Sequence, residues 1–152
     1  MHVKDVMSYP PEICHPSTPI GEAARTMSAH NRGCLPVVDA RGRLVGLITD
    51  RDVCLTVAGQ TRDVSHTTVR ESMTRDVLFC APDDPVEQAL AMFREHGVRR
   101  LPVVDVEMRL KGVLSLDDLV RHAGVDGLSW EAVLRTLKSV YTAETGSRAL
   151  SA

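Results

Sequence analysis

No run in this chain approaches the roughly 18 consecutive apolar residues that a membrane-spanning helix requires. The opening segment, Met1 to Met7, lacks the apolar core of a secretory signal, so the cytosol is the expected compartment. Charge of neither sign dominates: 18 Lys and Arg face 20 Asp and Glu, for a formal net charge of −2. That balance offers no global electrostatic footprint for nucleic acid or an anionic membrane surface. The four cysteines (14, 34, 54 and 80) include no Cys-x-x-Cys pair. Cys14 and Cys80 lie in strand-like segments and read as small buried hydrophobes, with a disulfide or metal role as the alternative. There is no Gly-x-Ser-x-Gly elbow, no Walker loop, and no nucleophile with a readable base. His30 and His96 sit at polar helix ends with no ligand partner at a recognisable spacing, so no metal site is expected. Aromatic residues are scarce at 3%, and the remaining composition (43% hydrophobic, 25% charged) is that of an ordinary globular protein.

What the chain does contain is itself, twice. Gly46-Leu47-Ile48-Thr49-Asp50-Arg51-Asp52 returns as Gly112-Val113-Leu114-Ser115-Leu116-Asp117-Asp118, an offset of 66 residues that runs without a gap from Val3/Val69 to Asp52/Asp118. Leu35-Pro36-Val37-Val38-Asp39 aligns with Leu101-Pro102-Val103-Val104-Asp105 in the same register. An internal repeat decides the architecture before any local reading does. A unit of about 60 residues is marginal alone because it buries too little surface, so the two copies are expected to pack together. The divisions are residues 1–58 for copy one, 59–68 for a polar linker, 69–123 for copy two, and 124–152 for a C-terminal helix and tail.

Each copy reads as β-α-β-β-α. An extended piece at Ile13-Cys14 or Phe79-Cys80 precedes a helix whose entrance is marked by Thr18-Pro19 or Asp84-Pro85. The residue before each proline is the expected cap, and Glu87 completes a capping-box pattern with Asp84. Ile20, Ala23, Ala24 and Met27, like Val86, Ala89, Leu90 and Phe93, recur at helical spacing. Exits at Asn31-Arg32-Gly33 and His96-Gly97 suit a left-handed cap. Residues 35–39 and 44–49, and again 101–105 and 110–115, form hairpins. Asp50 to Ala58 and Leu116 to Ala123 are closing helices, and strands alternating with helices predict an α/β (α+β) layer structure. Beyond the repeat, Ser129 is an expected N-cap, with Leu128 and Val133 as a staple across it. Trp130, Val133, Leu134, Leu137, Val140 and Tyr141 share one helical face, and Thr142 to Ala152 is an expected frayed tail.

The candidate chemistry lies where the second hairpin strand meets the closing helix. Unpaired backbone N–H groups and the positive end of the helix dipole at Thr49 and Ser115 favour an anion such as phosphate. Each hydroxyl can donate to the same group. Asp52 and Asp118, three residues on, can accept from a pair of vicinal hydroxyls, and a ribose phosphate offers both features. Gly46 and Gly112 permit close approach of a ligand or of neighbouring backbone. The alternative stays open: Thr49 and Ser115 simply cap helices, and the aspartates complement the first turn.

This pattern, Gly-hydrophobic-x-Thr/Ser-x-x-Asp after a Leu-Pro-Val-Val-Asp strand, resembles the cystathionine-β-synthase (CBS) domain pair, or Bateman module, over residues 1–123. The resemblance implies a pseudo-twofold pair with two clefts, binding adenosine-containing ligands: AMP, ADP, ATP, S-adenosylmethionine or a dinucleotide such as NAD. It implies phosphate contacts from Thr49 and Ser115 and ribose contacts from Asp52 and Asp118. Adenine would be flanked by groups near Ile13-Cys14 and Phe79-Cys80. It also favours a homodimer, with an unidentified protein as the regulated target.

The copies differ in one respect that bears on charge. Copy two has Arg99-Arg100 where copy one has Gly33-Cys34, and arginine can hold phosphate bidentately. In the family, basic residues here often reach the ligand phosphate, so Arg99 or Arg100 is an expected anion contact; the alternative is a solvated pair at a strand start. Asp50 and Asp117 add negative charge near the same end, which favours mono- and diphosphates over magnesium-free ATP. The reading is a stand-alone sensor without a catalytic domain. Its rivals are an interaction module working through the terminal helix, and a redox or metal responder built on Cys14, Cys34 or Cys80.

Overall fold

The computed structural model describes residues 1–59 and 64–142. The centre of the linker, residues 60–63, and the tail from residue 143 lie outside the described residues. The elements are α1 (Val3–Val6), α2 (Ile20–Ala29), β1 (Cys34–Val38), β2 (Leu44–Thr49), α3 (Asp50–Gly59), α4 (Val86–His96), β3 (Arg100–Val104), β4 (Leu110–Ser115), α5 (Leu116–His122) and α6 (Trp130–Thr142), with single 3-10 turns at Val64–His66 and Val69–Glu71. The strands form two separate two-stranded sheets, β1-β2 and β3-β4. In the first, the strands run antiparallel, with Cys34 opposite Thr49, Leu35 opposite Ile48 and Val37 opposite Gly46. The expected mixture of helices and hairpins is present. The leading strand of each copy, however, shrinks to a single parallel bridge, Cys14 to Val37 and Cys80 to Val103. Pro16 and Pro82 follow two residues later, and a residue without an N–H cannot extend a ladder.

The compact units are not the sequence repeats. Among the described residues, one unit comprises Pro11–Val77 with Glu107–Leu110; the other comprises Met1–Pro10, Leu78–Val106 and the chain from Lys111 to Thr142. The opening segment of each copy has therefore been exchanged. In the first unit the segment at Val69 hydrogen-bonds to copy one, Val69 N to Thr18 O at 2.9 Å and Arg70 N to Pro16 O at 2.9 Å. In the second unit the equivalent groups of Val3 and Lys4 donate to Asp84 O and Pro82 O at 3.0 and 2.9 Å. Each segment continues as a short bridge alongside the hairpin, Thr74 with Leu47 and Ser8 with Val113.

This exchange also corrects the helix entrances. Pro19 and Pro85 themselves occupy the cap position, with extended ψ of 139° in both, and no side chain caps either helix. Thr18 and Asp84 are thereby set one residue too far back. Their oxygens turn to the preceding loop, accepting from His15 N at 3.0 Å and Ala81 N at 2.7 Å. The first helical N–H groups go instead to the exchanged segments, Ile20 N to Thr67 O at 2.9 Å and Val86 N to Met1 O at 3.2 Å. The helix exits are as expected: Asn31 and Gly97 take positive φ of 51° and 63°.

The first core gathers Ile20, Ala23, Met27, Leu35, Val37, Ile48 and Val69. The second gathers Val3, Val86, Phe93, Leu101, Leu114 and Leu119, and adds Leu128, Val133 and Val140 from the C-terminal region. Ser129 caps α6 by accepting from Ala132 N at 3.1 Å. Helix α6 packs against α4 and α5, pinned by Arg94 Nη1 donating to the buried Thr136 Oγ1 at 2.9 Å. Its single stripe is split. Val133 and Val140 are buried, while Trp130, Leu134 and Tyr141 remain at least half exposed.

Candidate functional site

In the first unit β2 hands over to α3 at Thr49. The Thr49 N–H and hydroxyl both donate to Asp52 Oδ2, at 2.8 and 2.7 Å, and Asp52 N donates back to Thr49 Oγ1 at 3.2 Å. In the second unit the same box closes at the start of α5. Ser115 N and Oγ donate to Asp118 Oδ2, and Asp118 N returns to Ser115 Oγ at 3.2 Å. The capping geometry is therefore real in both copies. A carboxylate has a second oxygen, so capping does not exhaust it.

The two second oxygens meet different surroundings. Asp118 Oδ1 accepts from Ser8 Oγ at 2.8 Å and lies 3.6 Å from the Arg121 guanidinium, and the residue is only 4% exposed. Asp52 Oδ1 meets no hydrogen-bond donor among the described residues, and Asp52 is only half-buried. Ser8 was not among the expected site residues. Its counterpart Thr74 is also a hydroxyl, so a hydroxyl in both copies was a readable signal.

Arg99 and Arg100 lie beside the second junction. Leu116 N donates to Arg99 O at 3.2 Å, which fixes the Arg99 backbone beside the β4-α5 junction; Asp50 N makes the equivalent bond to Gly33 O at 3.1 Å. A cavity of about 90 Å³ at this junction is lined by Arg99, Arg100, Ser115, Leu116, Asp117 and Tyr141. It unites three expected residues, and Tyr141 reaches it from α6, outside the repeat. Gly112, Asp118, Phe79 and Cys80 do not line it. In the first unit the larger hollow, about 370 Å³, lies between α2 and α3 and includes Met27, Arg32, Asp50, Val53 and Cys54. Of the expected site residues only Asp50 lines it, and the Asp50 carboxylate accepts from Arg51 N at 2.8 Å.

Gly46 and Gly112 serve approach by backbone. A Cβ on Gly46 would lie 2.9 Å from Thr74 O and 2.7 Å from Met73 Sδ; on Gly112, the same distances from Ser8 O and Met7 Sδ. Cys14 and Cys80 turn their thiols inward, toward Pro36 O and Pro102 O. Their backbone groups are spent in the bridges to β1 and β3. Ile13 and Phe79, both partly exposed, are the apolar groups beside them that face outward. Burial pushes both thiols up to about 12, so the reactive thiolate is scarce at neutral pH. That weakens the cysteine-based reading at these two positions. Cys34 is also buried, and Cys54 alone is exposed. Among the described residues no group of three or more His, Cys, Asp or Glu is placed to hold a metal ion. No helix among them is long and apolar enough to cross a membrane.

With this geometry in view, comparison with known proteins is specific. The family model described as "CBS domain" matches twice, at residues 3–59 and 68–124. The CBS domain-containing protein YhcV of Bacillus subtilis is 39% identical over 117 residues, covering 77% of this chain and 81% of that protein. L-Aspartate semialdehyde sulfurtransferase of Methanocaldococcus jannaschii is 35% identical over 122 residues, but the chain spans only 23% of its length. Among solved structures, the CBS domain pair of protein MJ0100 in complex with 5′-methylthioadenosine and S-adenosyl-L-methionine aligns with TM-score 0.71 at 35% identity, over 80% of this chain and 94% of that one. CBSX2 in complex with AMP aligns with TM-score 0.70 at 30% identity, over 79% and 93%.

Proposed function

The chain belongs to the CBS domain family, of which it carries two copies, and on that footing we propose that it is a cytoplasmic regulatory module that binds adenosine-type ligands, with no catalytic step of its own. The observation that carries this reading is the duplicated strand-to-helix junction, Thr49 with Asp52 and Ser115 with Asp118. Support comes from two relatives of this fold solved with AMP and with S-adenosylmethionine plus methylthioadenosine. The two junctions, each within its own unit, offer different chemistry to a ligand. The open Oδ1 of Asp52 suits ribose hydroxyls, whereas Arg99 and Arg100 beside Ser115 suit an anionic group. Binding acts by favouring one arrangement of the chain over another, and a further protein reads that change.

A thermal-shift panel of AMP, ADP, ATP, S-adenosylmethionine and NAD tests the reading. A ligand at 100 times its dissociation constant stabilises the fold by about 2.7 kcal/mol. That gain is expected from at least one of the five and lost in Asp52→Ala; if none of them moves the melting temperature, the reading fails. AMP and ADP are expected to outrank ATP without magnesium, because Asp50 and Asp117 repel added phosphate charge.

The same reading includes a homodimer. Helix α3 has no buried residue, and Leu55 and Val57 are about half exposed. Light scattering is expected to give twice the chain mass, with Leu55→Asp shifting it towards the monomer; a monomeric wild type at micromolar concentration removes this element. The exposed Trp130, Leu134 and Tyr141 on α6 favour a second reading, docking of a partner protein on that helix.

A further inference from the structure

We propose that the hollow between α2 and α3 is a further ligand site, which takes an α-amino acid with an apolar side chain as its zwitterion. It lies within the first unit and is independent of the adenosine reading. Its volume of about 370 Å³ falls in the range of roughly 300–1,000 Å³ that small-molecule sites occupy. Ala24, Met27 and Val53 give it an apolar floor, with Met27 buried. Arg32 and Asp50 also line it, and both are exposed. Asp50 N donates to Gly33 O at 3.1 Å, which holds the backbone of Asp50 beside that of Arg32. The two side chains nevertheless form no ion pair. The Arg32 guanidinium has no partner among the described residues, and the Asp50 carboxylate accepts only from Arg51 N, through one oxygen, at 2.8 Å.

Copy two shows the same groove filled by protein. The repeat equivalents of Ala24, Arg32, Asp50 and Val53 are Leu90, Val98, Leu116 and Leu119, and all four belong to the second core or pack against it. Helix α6 lies against α4 and α5 there. Among the described residues copy one has no counterpart of α6, since only the single turns at Val64–His66 and Val69–Glu71 separate α3 from α4. Alanine in place of leucine at residue 24 leaves room at the floor. An apolar helix laid into this hollow would bury two unpaired charges, at a large cost. A zwitterion meets each demand. Its carboxylate suits the Arg32 guanidinium bidentately, its ammonium suits Asp50, and its side chain suits Met27 and Val53. Leu55 and Val57, to which the homodimer is ascribed, do not line the hollow.

Cys54 provides the readout, because it lines the hollow and is exposed while Cys14, Cys34 and Cys80 are buried. Alkylation of Cys54 by iodoacetamide is followed by mass spectrometry on the full chain, as the ratio of rates with and without ligand. L-Leucine or L-methionine is expected to slow it in a saturable way. Arg32→Gln and Asp50→Asn should each raise the half-protecting concentration about tenfold, as loss of one charge-assisted contact predicts. Arg32→Lys should recover part of that loss. For leucine, 4-methylpentanoate lacks the ammonium and 3-methylbutylamine the carboxylate, and each should be weaker by a similar factor. Equal protection by leucine and either analogue overturns the proposal, as does no protection by either amino acid. Protection that rises with protein concentration and ignores amino acids also overturns it, because a second copy then covers the hollow. AMP should leave the Cys54 rate unchanged, and protection by AMP alone rejects the amino-acid site. The thermal-shift panel of nucleotides is scored separately, so either reading can fail while the other stands.

Discussion

Asp118→Ala is expected to cost the fold about 2–4 kcal/mol, and Asp52→Ala only about 1 kcal/mol, although the two residues are repeat equivalents. Both substitutions remove the carboxylate half of a capping box while leaving the Thr49 and Ser115 caps in place, a loss of about 1 kcal/mol for the hydrogen bonds involved. Asp118 does more. Its Oδ1 also accepts from the Ser8 hydroxyl at 2.8 Å, and the residue is 4% exposed. Removing it leaves the Ser8 and Ser115 donors near a buried space, and a hydrogen bond to a charged group contributes about 1.5–3 kcal/mol. Asp52 is half-buried, so water can replace much of what its carboxylate provided. Urea denaturation with unchanged slope and a lower midpoint reads the difference. Equal losses in the two variants would show that the Ser8 contact contributes nothing. Ligand binding should rank the other way, because the free oxygen is on Asp52. Ser8→Ala separates the two roles, since it is expected to recover part of the Asp118→Ala loss in a double-mutant cycle.

The hairpins, the four main helices of the two copies and both helix exits were legible because each rests on local chemistry: alternating or helical apolar spacing, glycine or asparagine where φ turns positive. The junctions were legible for a different reason, since two copies of Thr/Ser-x-x-Asp repeat one geometry. What was not legible depends on distant chain. Thr18 and Asp84 look like caps in sequence, but Thr67 O and Met1 O take the first helical N–H groups, and a local pattern carries no record of that. The same exchange hid Ser8, which is 110 residues from Asp118. Tyr141 was visible only as one member of an apolar stripe. The packing of α6 on α4 and α5 decided which members turn inward, and that placed Tyr141 over Arg99. Thus the motif was readable where it is local, and its inequality between the copies was readable only from the arginines.

Gly112→Ala is expected to destabilise the chain by about 1–3 kcal/mol, the usual range for forcing an extra methyl into a filled site. Ordinarily a Gly-to-Ala change gains about 0.4–1 kcal/mol by restricting the unfolded chain, so the sign here depends on space alone. Gly112 needs no positive φ. Its new Cβ would lie 2.7 Å from Met7 Sδ and 2.9 Å from Ser8 O. The sulfur can swing away. The carbonyl cannot, because the Ser8 backbone is bridged to Val113, with Ser8 N donating to Val113 O at 2.9 Å and Val113 N returning at 3.2 Å. The substitution must therefore displace the exchanged segment that carries Val3 and Val6 into the core. Met7→Ala in the same chain should recover the part due to sulfur and leave the part due to the carbonyl. Gly46→Ala repeats the test in the other unit, against Met73 Sδ and Thr74 O at the same distances. Full rescue by the methionine truncation would show that the bridge yields freely. A stabilised Gly112→Ala protein, measured by its denaturation midpoint, would show that the exchanged segment is not held against the hairpin at all.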